Sequence, residues 1–63
     1  MLIIGYRGNV DWAKVKNAFK QYTNMDPSEI ADITAKIKKG QTIGLEENFL
    51  LRDELKDLGI LLR

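Results

Sequence analysis

A chain of 63 residues with 44% hydrophobic and 30% charged side chains has room for one domain with a small core, in the size range where self-association often adds stability. With no cysteine and no histidine, it offers no disulfide framework, no thiol nucleophile, no usual zinc site and no histidine-based acid–base triad. The net charge of +1 is unevenly placed: seven Lys/Arg stand against four Asp/Glu over residues 1–40, and three against five over residues 41–63.

In chain order, Leu2-Ile3-Ile4-Gly5-Tyr6 is short, rich in β-formers and followed by Arg7-Gly8-Asn9, which predicts a strand entering a turn. Asn9 is placed to cap the next helix. Between Val10 and Tyr22 the apolar residues Trp12, Val15, Phe19 and Tyr22 recur at three- and four-residue spacing with Ala18 beside them, which predicts one buried stripe. Lys14, Lys16, Asn17, Lys20 and Gln21 lie off that stripe, as residues of a solvated face do.

Thr23–Gly40 carries the best-specified helix. Asp26 is a good N-cap, Pro27 suits the first helical position, and Glu29 sits where a capping-box acid reaches back. Met25 is placed to pack on Ile30 as a hydrophobic staple. Ile30, Ile33 and Ile37 make the buried face, Lys36, Lys38 and Lys39 complement the negative end of the helix dipole, and Gly40 stops it. The short link Thr23-Asn24-Met25 makes the two helices an αα-hairpin.

Gln41-Thr42-Ile43 predicts a short strand, and Gly44 the beginning of a third helix that runs through Glu46 and Glu47 to Leu58 and stops at Gly59. Leu51, Leu55 and Leu58 share one face with Asn48 one turn earlier; Leu50 points roughly the opposite way and Phe49 sits on a flank. Ile60–Arg63 closes the chain as a strand. The expected fold is a single α+β domain over residues 1–63, in the order β-α-α-β-α-β, with a three-stranded sheet and three helices packed on one face.

The element order, the apolar first helix, the Thr23-x-Met25 junction, Glu29, and Leu51-Arg52-x-x-Leu55-x-x-Leu58-Gly59 before the last strand resemble the C-terminal domain of the bacterial ribosomal stalk protein L7/L12. That domain docks translation GTPases through its first two helices. The resemblance implies an apolar contact at Val15 and a basic contact at Lys20. It also departs from the family: Asn24-Met25-Asp26-Pro27 replaces a Gly-Leu-Gly-Leu turn, and Ala31 and Asn17 stand where basic residues are usual. No dimerisation domain or hinge precedes the domain, so a free-standing bacterial or phage-encoded relative that docks on a host protein is expected. Such a protein would be an inhibitor, an adaptor or a recruitment factor.

Strand alternation turns Met1, Ile3 and Gly5 toward the helices and leaves Leu2, Ile4 and Tyr6 on the other side, joined by Leu61 if Leu62 faces inward. Such a face is an apolar patch suited to a homodimer or another partner. Asp53, Glu54 and Asp57, interleaved with Arg52 and Lys56, look like a solvated salt-bridge face rather than a catalytic site, and the glycines match no phosphate-binding loop, so neither enzyme activity nor a cofactor is expected. The alternative is nucleic-acid binding through Arg7, Lys14, Lys16, Lys20, Lys36, Lys38 and Lys39, with Tyr22 nearby. The apolar runs are too short to cross a bilayer and no signal peptide is evident, so a cytoplasmic interaction module is expected, with Lys16, Lys20 and the outward Leu50 among its contact residues.

Overall fold

The computed structural model describes all 63 residues and holds β1 (Leu2–Tyr6), α1 (Trp12–Tyr22), α2 (Pro27–Lys38), β2 (Ile43–Gly44), α3 (Phe49–Asp57) and β3 (Ile60–Leu62). The order and the α+β class are those expected. Strand β1 is central, paired antiparallel to β2 on one side and to β3 on the other. Helix α2 lies on β1 and β2, α3 lies on β3, and α1 packs across α2 and α3.

The helix ends follow local chemistry. Asp11 caps α1, its carboxylate accepting from the Lys14 N–H, so the helix begins at Trp12 and Asn9 stays in the preceding turn. Asp26 and Glu29 form the expected capping box: the Glu29 N–H donates to Asp26 at 2.8 Å and the Asp26 N–H to Glu29 at 3.4 Å, with Pro27 in the first turn. At the other end Gly40 has φ 81°, its N–H donates to the Ile37 carbonyl, and the Gln41 N–H donates to that of Lys36. These are the paired bonds of a Schellman motif, which needs a left-handed residue at that position.

The third helix begins later than the sequence suggests. Gly44 belongs to β2, opposite Leu2, and α3 starts only at Phe49, capped by Asn48. Asn48 Oδ1 accepts from the Leu51 N–H at 3.1 Å, and Nδ2 donates to the Tyr22 carbonyl at 2.8 Å. One side chain thus starts α3 and ties it to the end of α1. The β2 strand is two residues rather than three, starting two residues later and ending one later than expected, with Gln41 used by the Schellman turn.

The second correction lies in β1. Ile3 pairs with Leu62 and Gly5 with Leu61, so Ile4 is an extra residue and the alternation breaks there, as at a β-bulge. Directly opposed residues share a face of the sheet. Gly5 is therefore on the outer face with Leu61, whose Cδ1 lies 3.8 Å from where a Gly5 Cβ would stand. Tyr6, opposite the buried Ile60, turns toward the helices. Its ring meets Trp12 edge to face at 5.0 Å, and its hydroxyl donates to the Lys38 carbonyl.

The core is Ile3, Val15, Ala18, Phe19, Ile30, Ile37, Leu51, Leu55 and Ile60. The stripes expected on α1, α2 and α3 are those that are buried, with Trp12, Tyr22, Ile33 and Leu58 half-buried around them. Thr34 is the one buried polar side chain; its hydroxyl donates to the Ile30 carbonyl at 2.6 Å, so it leaves no unpaired group.

Candidate functional site

Between α1 and α2 runs an open groove of about 490 Å³. One side is Ala13, Lys16, Asn17 and Lys20, successive positions of one face of α1; Met25, Pro27, Ile30 and Ala31 at the start of α2 form the apolar floor. The capping box and Pro27 fix where α2 begins, and the short Ala13 and Ala31 side chains keep the two backbones from being bridged by bulk. The floor is apolar and the rim is basic. The ion pairs of the molecule are Met1 N with Glu47, Lys36 with Asp32, and Arg52 with Glu47. Lys16 and Lys20 are exposed and belong to none of them. Their ammonium groups are free to meet the carboxylates of a partner.

Of the expected contact residues, Lys16 and Lys20 therefore sit together on this groove. Val15 does not: it is 0% exposed, packed in the core, and presents nothing to a partner. The apolar-stripe reading of α1 holds at this position, and the contact role implied by the stalk resemblance fails there. Ala31, where that resemblance expects a basic residue, supplies apolar floor instead.

Leu50 is outward as expected, 66% exposed, but its neighbour Phe49 is more so at 73%. Phe49 is the contact candidate that sequence reasoning passed over. A helical side chain lies over the turn N-terminal to its own Cα. Phe49 is the first residue of α3, so there is no such turn to cover it. Together Phe49 and Leu50 form an apolar knob with exposed Asp53 and Glu54 one turn further along the helix.

The outer sheet face is narrower than expected. Leu2 and Ile4 are each 42% exposed and Leu61 is half-buried, but Tyr6 is absent from this face for the reason given above. Gly5 and Gly44 add backbone only, and Arg63, bonded to Leu2 through both backbone groups, brings a charge to its edge.

A second cavity, about 640 Å³, lies between the α1–α2 junction and residues 44–48, with Glu29, Glu46 and Glu47 on its rim. Glu47 is occupied by a bidentate pair with Arg52, at 2.8 and 3.0 Å. The Arg52 hydrogen bond, together with its charge, holds the Glu47 carboxyl below the usual carboxylate range. No three acidic side chains lie close enough together to hold a metal ion.

The basic residues do not form one surface. Lys38 lies 5.2 Å over the Trp12 ring, at the end of the hairpin where α1 starts, while Tyr22 is at the other end of α1, about 15 Å away at 1.5 Å per residue. Lys36 is paired with Asp32. No helix is long and apolar enough to cross a membrane. Comparison of the chain with protein-family models, curated proteins and solved structures gives no match.

Proposed function

We propose that this chain is a non-enzymatic docking module of the cytoplasm, whose α1–α2 groove receives a segment of another protein that carries apolar side chains beside carboxylates. The observation that carries the reading is the groove itself: an apolar floor at Met25, Pro27, Ile30 and Ala31, rimmed by Lys16 and Lys20, which have no acidic partner of their own. Apolar contact supplies affinity in such a site, and the lysines supply orientation and discrimination. The stalk resemblance makes translation GTPases one class of partner; the substituted turn at Asn24–Pro27 favours an unrelated host enzyme that the module inhibits or adapts.

Capture from a bacterial lysate with wild-type and Lys16→Glu/Lys20→Glu baits tests this, the recovered partner being identified by mass spectrometry and rebound in purified form. Loss of the main partner from the charge-reversed bait is the expected result. Equal capture by both baits rules the groove out.

Two other surfaces have an observation behind them. The Tyr6–Trp12 pair with Lys38 over it, and Lys39 beyond, could stack and neutralise a nucleic-acid strand. Phosphate binding weakens steeply with salt, whereas groove docking, with two exposed lysines beside an apolar floor, weakens only modestly, so the slope of a salt titration separates the two. Leu2, Ile4 and Leu61 remain a candidate homodimer face; retention of self-association by an Ile4→Lys variant would remove it.

A further inference from the structure

We propose that the occupant of the groove can be a second copy of this chain: the Phe49–Leu50 knob of one copy enters the α1–α2 groove of another. This rests on the reading of the groove as a docking site and names a partner for it. The knob has the chemistry the groove asks for. Phe49 and Leu50 are the most exposed large hydrophobic residues of the molecule, at 73% and 66%. Asp53 and Glu54 stand one helical turn from them, exposed and outside every ion pair. Across the groove's apolar floor, Lys16 and Lys20 are likewise one turn apart and unpaired.

The apolar elements match, and the charges beside them are opposite in sign. A single chain cannot make the contact with itself, because both knob residues stand in solvent and neither lines its own groove. The contact is therefore between copies and heterologous, a knob on one and a groove on the other. Two apolar side chains and a pair of lysine–carboxylate contacts amount to less than a standard interface, so the association is weak and rapidly reversible. A foreign partner seated in the groove would compete with it.

Sedimentation velocity from micromolar to millimolar concentration tests the proposal on three proteins: wild type, Phe49→Ser/Leu50→Ser, and Lys16→Glu/Lys20→Glu. All four positions are exposed, and far-UV circular dichroism verifies that each variant is folded. Wild type is expected to associate as concentration rises, and each double variant to associate roughly 30-fold more weakly, the effect of losing one hot-spot contact. Mixing the two variants restores a contact, since one retains the groove and the other the knob. A wild type that stays monomeric to millimolar concentration, variants that associate like wild type, or a mixture no more associated than its parts overturns the proposal. A monomeric wild type that still loses its lysate partner on charge reversal would sink self-docking alone. Self-association abolished by both variants, with no lysate partner captured, would sink the foreign-partner reading alone.

Discussion

Asn48 is the residue on which the attachment of α3 to the rest of the domain can be measured. Its side chain makes two separable bonds, capping α3 through the Leu51 N–H and bridging to the Tyr22 carbonyl. An N-cap side chain is worth about 1 kcal/mol, and a partly buried neutral hydrogen bond about 1 kcal/mol more. Asn48→Ser keeps the cap but cannot reach Tyr22, so about 1 kcal/mol is lost; Asn48→Ala forfeits both, about 2 kcal/mol. For a domain of this size the whole stability is roughly 3–9 kcal/mol. At about 4–8 °C per kcal/mol, the serine variant should melt about 4–8 °C lower and the alanine variant about 8–16 °C lower. Thermal unfolding followed by circular dichroism gives the melting temperatures, and urea unfolding followed by Trp12 fluorescence gives the free-energy differences. If serine melts like wild type the bridge contributes nothing, and if serine and alanine melt alike the cap contributes nothing; either result refutes the corresponding half of the argument.

Glu47 titrates below its ordinary value of 4.5 because Arg52 hydrogen-bonds its charged form. A depressed folded value means the unfolded state binds the proton first, so this pair stabilises the fold above that ordinary value and its contribution is lost as pH falls through the folded one. Arg52→Gln should move the Glu47 titration, followed by NMR, upward toward the ordinary range, the Met1 ammonium still lowering it, and reduce the loss of stability on the acid side. Gly59 has φ 95°, and an added Cβ would lie 3.3 Å from the Arg7 carbonyl oxygen, so Gly59→Ala should cost about 1–3 kcal/mol in a denaturant melt. Tyr6→Leu should change Trp12 emission and Ile4→Leu should not, because the bulge turns only Tyr6 onto Trp12. Equal changes in both variants would mean that the register of β1 is wrong.

What was legible in the sequence was local. Asp26, Pro27, Glu29 and Gly40 specify the two ends of α2 through bonds that span five residues or fewer, and the structure forms them as read. Leu51 and Leu55 were legible through their period, whereas the start of α3 was not. Glu46 and Glu47 imitate the acidic first turn of a helix, yet Glu47 serves Arg52, and the cap is Asn48. The bulge in β1 had one signal, a glycine inside a strand, and strict alternation overruled it for Gly5 and Tyr6. The groove was half legible: Lys16 and Lys20 share a face on any helical reading, but which residues of α2 oppose them depends on how the hairpin crosses. Val15 shows that a core stripe read from spacing outweighs a contact role carried over from a resemblance.

The central place of β1 sets an order of events in folding. Both of its partners lie far along the chain, β2 at Ile43–Gly44 and β3 at Ile60–Leu62, so no strand pair can close until most of the chain is available. The α1–α2 hairpin needs only contacts close in sequence and can form before either pairing. On a ribosome, β1 emerges before either of its partners and its pairing is completed last. Until Ile60–Leu62 arrives, Leu2, Ile3 and Ile4 are an apolar strand whose β3 edge is open, the kind of segment that seeks other chains. Truncation just before Gly59 should therefore leave helix content and solubility out of step, with the helices retained and the strand free to aggregate.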